Sequence, residues 1–282
     1  MFVTNPFAQI DLVSSTVLQA WLVLMVLLVI AGTVADVIHK KSAKYFFQLE
    51  EEQKRLAKRE VPSGERVSLA VKTVTNEVLT SSEFENPKRR ASHLLTMYGF
   101  VLLAIATAVL VFVYPDAKEG TPAIWPIVWH VGAIMLAIGT LWFWFFIRVD
   151  VFSEGNNPID FKQRDIFVVA LMAMAIFGLI WSFLQSSSPG FWSDLFFVLF
   201  IAAATFLFST ILWSKFAHMF FKPAAAYQKK LAWADGSREK LPDIPDLSSP
   251  ETHEKYPDIP KYLGKNPPYM GLGIKREPPN HY

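Results

Sequence analysis

Five uninterrupted apolar runs dominate this sequence. Each is long enough to cross a ~30 Å hydrocarbon core, which takes about 20 helical residues. They extend over about 17–38, 94–114, 123–147, 166–184 and 191–213. In lipid, every backbone N–H and C=O must find its partner inside its own segment, so the runs predict helices. The helical pattern of the fifth run continues to Phe221, and Pro223 is expected to stop it. The first run is not expected to be a cleaved signal peptide: no Lys or Arg precedes it, it exceeds the length of such a core, and no small-residue cleavage site follows. The fold class this predicts is an all-α integral membrane protein, a five-helix bundle with an extended proline-rich tail.

Composition agrees. Apolar residues make up 52% of the 282, and charged residues only 18%, against about 25% in soluble domains. A net charge of +2 argues against a nucleic-acid binder. Cysteine is absent, which removes disulfides, thiol catalysis and cysteine-ligated iron–sulfur clusters. If the chain handles electrons, His or Met must hold its cofactor, and any iron–sulfur cluster must sit in a partner.

The basic residues set an orientation. Of 27, twelve fall between His39 and Ser92, three at Arg148, Lys162 and Arg164, and eleven from Lys215 onward. Only Lys118 lies on the other side. The positive-inside rule places the N-terminus outside and the long loop and tail in the cytoplasm. The chain is expected to cross its membrane several times.

Four regions follow. Residues 1–39 hold the outer N-terminus and first span. Residues 40–86 form a basic cytoplasmic loop. Its first part, to about residue 60, extends the first helix. Pro62-Ser63-Gly64 breaks it, and Val67, Val71, Val74 and Val78 then recur at helical spacing. That stretch reads as an amphipathic interfacial helix or as a solvated one. Residues 87–222 form a four-helix membrane domain, opened by Asn86 as N-cap and Pro87 in the first turn. Lys88, Arg89 and Arg90 fall at headgroup level. Residues 223–282 form the tail; the stretch from Lys222 onward holds ten of the 18 prolines and two Pro-Asp-Ile-Pro units, at 242–245 and 257–260. It reads as a disordered tail or as an extended arm lying on a soluble partner, anchored by residues such as Ile244, Ile259 and Tyr262.

Six histidines carry the chemistry still open to the chain. His253 and His281 lie in the tail and are expected to be solvated. His39, beside Lys40 and Lys41, is expected at the interface. His93, entering the second span, and His218, leaving the fifth, share a depth at the cytoplasmic end. A haem b needs two axial imidazoles on facing helices at one depth. The pair therefore reads as haem ligands or as interfacial histidines exposed to headgroups. Gly99, Ala104 and Ala202–Ala204 would leave room between the helices. His130, two turns into the third span, is a weaker cofactor candidate and reads better as a packing or hydrogen-bonding residue. Asp36 could face a polar cavity or reach water. No catalytic constellation is visible, and the spans show few of the broken helices or midmembrane charges of a transporter. The chain reads as a non-catalytic electron-transfer or anchor subunit.

The stretch Arg89-Arg90-Ala91-Ser92-His93-Leu94-Leu95-Thr96-Met97-Tyr98-Gly99-Phe100 resembles the second helix of membrane cytochrome b subunits related to nitrate reductase gamma and heterodisulfide reductase. Trp213-Ser214-Lys215-Phe216-Ala217-His218-Met219-Phe220 is similar to the end of their fifth helix. Asp165 at the head of the fourth helix and Gly178 within it are similar too. The resemblance covers roughly 65–225. It implies one or two haems b held by histidines of the second and fifth helices. His93 and His218 match one pair; the positions of a second pair carry no histidine, with Leu103 standing ten residues beyond His93. The proline-rich tail, its repeated unit and the Met-Gly-Leu-Gly-Ile-Lys-Arg-Glu-Pro ending resemble the membrane anchor subunits of dissimilatory adenylylsulfate reductases. That likeness implies a role in sulfur metabolism. The partner would be a cytoplasmic reductase carrying flavin and iron–sulfur clusters. This chain would hold it at the membrane and pass electrons between it and quinone. The alternative is a purely structural anchor without haem that docks the reductase through its tail.

Overall fold

The computed structural model describes residues 2–39, 42–84, 86–116, 120–148, 161–211, 218–238, 246 and 249–258. Among them only helices and their connections occur. They are α1 (Ser15–His39), α2 (Ser42–Leu56), α3 (Ser63–Thr73), α4 (Pro87–Phe112), α5 (Ile124–Trp142), α6 (Ile166–Ser187), α7 (Phe191–Ser209), α8 (His218–Asp235) and α9 (Pro250–Lys255). α3 continues as a π-helical turn over Val74–Leu79, and α5 as one over Phe143–Ile147. Five helices are long and apolar enough to cross a membrane: α1, α4, α5 with its extension, α6 and α7. The chain is an all-α multi-pass membrane protein.

Helices α4, α5, α6 and α7 pack in sequence around a common core, and α1 lies against α7 and α4. Lipid offers no hydrophobic force between helices, so close packing has to hold them. Glycines make this possible at the α4–α5 seam. A Cβ at Gly132 would stand 2.6 Å from the Leu103 backbone nitrogen, and one at Gly99 would stand 2.4 Å from that of Leu136. Lower on the seam, Ser92 donates to the Gly139 carbonyl at 2.9 Å. Gly99 was expected to leave room between helices; the backbone of α5 fills that room instead. Asn86 caps α4 as its sequence suggests, accepting from the amides of Lys88 and Arg89 at 3.0 and 3.3 Å.

The N-terminal segment folds back over one end of the bundle. Asn5 Nδ2 donates to the Leu110 and Tyr114 carbonyls at 3.3 and 2.8 Å, which caps the end of α4. A 3-10 turn over Phe7–Gln9 then sinks Phe7 among Trp129, Trp181 and Phe200.

At the opposite, basic end, α2, α3 and α8 assemble into a layer. Its fixed point is Asp235, at the end of α8. The carboxylate accepts from Gln53 Nε2 at 2.6 Å and from the Ser237 amide at 2.8 Å, and the carbonyl accepts from the amides of Lys58 and Arg59. Arg59 forks onto Glu65, and that hydrogen bond holds the Glu65 carboxyl below its ordinary range. Lys230 pairs with Glu77 at 2.9 Å. Val67, Val71 and Val74 stay exposed along one face of this layer.

This end departs from the sequence reading in two ways. The fifth span stops at Ser209 rather than running on to Phe221, and residues 212–217 lie outside the described residues. Pro223 does not stop a helix; it lies inside α8, where it removes one N–H donor and its ring crowds the carbonyl four residues earlier. The region 223–282 is therefore not extended from its start. It begins as a helix packed on α2 and α3, and a short helix, α9, follows. The first Pro-Asp-Ile-Pro unit, the second half of the other, and everything from 259 onward lie outside the described residues.

Candidate functional site

His93 stands in the second turn of α4, and the connection before that helix is built around it. After the π-helical turn at Val74–Leu79, three side chains of α4 reach back to the chain. Arg90 Nε donates to the Thr80 carbonyl at 2.7 Å, and Tyr98 Oη donates to the Leu79 carbonyl at 2.7 Å. Between them, His93 Nδ1 lies 3.0 Å from the Ser81 hydroxyl. Ser81 is fully buried and takes φ +48°, a left-handed conformation uncommon outside glycine and asparagine. The clamp on either side holds it there.

The Phe84 ring completes the setting. Its centroid is 4.9 Å from that of His93, and it lies under Arg89 and Lys222 at 5.6 Å each. Lys222 also reaches Glu83 Oε1 at 2.8 Å. It belongs to α8, one turn after His218. These contacts bring the first turns of α8 beside the His93 loop. The backbone of His218 opens α8, but its side chain lies outside the described residues. The start of α4 and the described start of α8 thus lie at one end of the bundle.

Above this end lies a cavity of about 480 Å³ between α1, α4 and α7. α4 and α7 approach there chiefly through Phe100 and Phe208, whose rings are 6.3 Å apart. Ala104 and Ala204, two of the small residues expected to leave space, do line it. So does Met219, next to His218, which brings the cavity to the start of α8. On α4, Phe100 and Ala104 stand seven and eleven residues beyond His93, which is the same helical face. The walls are apolar almost throughout. The hydroxyl of Thr107 is engaged, donating to the Leu103 carbonyl and accepting from Trp129 Nε1 at 3.0 Å. Trp21 Nε1 donates to Thr205 Oγ1 at 2.9 Å and ties α1 across the cavity to α7.

The other half of the bundle is filled. Trp129, Trp181 and Phe200 pack ring on ring, with Trp181 and Phe200 stacked at 5.6 Å and Trp129 edge-on to both. His130 lies beside them, fully buried. Its Nδ1 is 2.7 Å from the Pro126 carbonyl, and Nε2 is 2.8 Å from the Ser182 hydroxyl. A carbonyl only accepts, so Nδ1 carries a proton and Nε2 can accept from serine. Both ring nitrogens are engaged, and the residue cross-links α5 and α6.

The remaining candidates are simply placed. His39 is exposed at the end of α1, and His253 lies in the last turn of α9. His281 lies outside the described residues. Asp36 is buried, 3% exposed, and does not reach water. Asp165 makes a part-buried ion pair with Arg148 at 2.7 Å, and the guanidinium lies 4.0 Å over Trp144. That pair joins the end of α5 to the start of α6. Among the described residues, no group of three or more His, Cys, Asp or Glu is placed to hold a metal ion.

Sequence reasoning missed Ser81, Phe84, Lys222 and Ser182. Each acts through a partner on another element, and none sits in a motif. Fold and site together define a multi-pass helical membrane protein with a histidine and an apolar cavity on one face of its second span. No family model matches the chain, and no curated protein or solved structure matches it either.

Proposed function

We propose that this protein is a membrane anchor and electron-transfer subunit. It links a cytoplasmic adenylylsulfate reductase to the quinone pool of a prokaryotic inner membrane in dissimilatory sulfur metabolism. The observation that carries the reading is the setting of His93. Its Nδ1 is held by a buried serine, it shares a helical face with an apolar cavity between α4 and α7, and the helix opened by His218 adjoins it. A ligating imidazole is ordinarily oriented by a hydrogen bond at its other ring nitrogen.

The setting of His93 fits a haem b, which His93 and His218 would hold. When bound there, the group would supply one-electron redox chemistry. The chain's own residues do the rest. Ser81 fixes the ring plane of His93, Phe84 and Lys222 set α8 against α4, and the apolar walls exclude water. The filled aromatic half of the bundle, with both nitrogens of His130 engaged, agrees with a single haem rather than two.

The test is a dithionite-reduced minus oxidised spectrum of the purified protein, with haem quantified as the pyridine haemochrome. A b-type signal near one haem per chain is expected, lost in both His93→Ala and His218→Ala. An unchanged spectrum in both variants would sink the ligand assignment.

The layer of α2, α3 and α8 favours a second reading, a structural anchor without haem. It is a preformed basic platform from which the tail departs. Deleting residues 240–282 leaves that layer intact and is expected to release the reductase from membranes. Retention of the reductase after the deletion counts against the tail as its docking arm.

A further inference from the structure

At the basic end, a groove of about 910 Å³ runs between the first turn of α4 and the last turns of α5. We infer that this groove is a binding site for an anionic phospholipid, with the phosphate on Lys88 and Arg89 and an acyl chain along α5.

The two ends of the groove differ in kind. One wall is apolar and lies along α5: Ile138, Trp142, Phe145 and Phe146. The π-helical turn at Phe143–Ile147 changes the helical phase there, and Phe145 and Phe146 are left 54% and 72% exposed. Such turns are rare and recur at functional sites. The other end is cationic. Arg89 is half-buried, its guanidinium lies over Phe84, and among the described residues no carboxylate pairs with it. Several other cations of this end are engaged within the protein: Arg59, Arg148, Lys222 and Lys230 each hold a carboxylate, and Arg66 and Arg90 donate to backbone carbonyls. Lys88 is exposed on the same rim and also has no carboxylate partner there. The first amides of α4 do not supply the attraction, because Asn86 already takes them.

Depth fits as well. α4 has 26 residues and spans about 39 Å at 1.5 Å per residue, more than the ~30 Å hydrocarbon core. Its first turn therefore lies in the headgroup layer, with Trp142 at the interfacial depth such rings prefer. A part-desolvated guanidinium seeks an oxyanion, and phosphate matches its fork. A trough with cations at its headgroup end and aromatics below them fits one amphiphile with a negatively charged head. Basic pockets between spans on this side of a membrane are where such headgroups bind. The inference needs only the membrane reading and stands apart from the haem.

The test uses the full-length protein in a neutral detergent, delipidated in steps and examined by native mass spectrometry with added phosphatidylglycerol or phosphatidylcholine. One phosphatidylglycerol is expected to persist per chain and phosphatidylcholine to wash out. Arg89→Gln and Lys88→Gln should each weaken retention about five- to tenfold, and Arg89→Lys, which keeps the charge but loses the fork, should restore only part of it. Lys54→Gln, elsewhere on the basic layer, should change nothing. Phe145→Ser keeps every charge and should also weaken retention. It decides the matter if the charge variants do not fold. Equal retention of the two lipids, an equal loss in Lys54→Gln, or displacement of the lipid by millimolar inorganic phosphate would each overturn the inference. So would protection of Phe145 and Phe146 by the reductase in place of lipid.

Discussion

Ser81 shows how much one side chain can contribute to a site without belonging to any motif. It is buried, left-handed and hydrogen-bonded to His93, which shares a face of α4 with Phe100 and Ala104 of the cavity wall. Ser81→Ala removes that bond and is expected to cost about 1 kcal/mol in unfolding free energy. A merely structural serine would do no more. In preparations that contain haem, the variant should keep the b-type band but shift its midpoint potential, whereas His93→Ala abolishes the band. Potentiometric titration followed optically separates the two. At this scale the sequence was legible where residue type alone restricts chemistry. His93 stands out because an ionisable group is costly at a span's edge. Ser81 does not stand out, because a serine in a polar loop is ordinary until the backbone places it. His130 was legible as a hydrogen-bonding residue, but its partner Ser182 stands 52 residues away on another helix.

The helices themselves were the most legible feature, since backbone satisfaction in lipid leaves few alternatives. The described spans begin and end within a few residues of the apolar runs, except that α4 starts earlier, at the proline that follows its N-cap. The exceptions lie where amphipathic character is weak. The fifth run reads as continuous into α8 because Trp213–Phe221 is rich in aromatics, yet α7 ends at Ser209 and α8 is assigned from His218. A proline inside a helix usually ends or kinks it, which is why Pro223 reads as a stop; α8 nonetheless continues through it to Asp235. The glycines were legible as small residues but not as a particular contact. Gly132→Val is expected to destabilise by about 1–3 kcal/mol or more, because the added carbons meet the α4 backbone rather than a flexible side chain. Thermal unfolding in detergent checks this, with Gly64→Val, which meets nothing within 4 Å, as the neutral comparison.

For the whole molecule, the largest departure from expectation is the basic layer. The sequence shows charges and prolines beyond residue 222. It does not show that Asp235 collects the end of α2 and the turn after it. Asp235→Ala leaves Gln53 and the Ser237 amide without their acceptor and is expected to cost about 1–3 kcal/mol. Trypsin should then cut faster at Lys58 and Arg59, while the helical content of the five spans stays the same. A cleavage rate equal to wild type would show that the layer is held by other contacts.

The contact between Trp21 and Thr205 also bears on how the chain is made. The two residues are 184 apart. A ribosome delivers α1 first, yet its partners on α7 belong to the last of the five spans to emerge. During synthesis the first helix must wait in the bilayer beside an incomplete bundle, with the α4 side of the cavity open to the lipid. Only when α7 arrives can α1 close over that space. Whatever occupies the space in the finished protein therefore has a window for entering sideways, before the wall exists, without having to thread between packed helices afterwards.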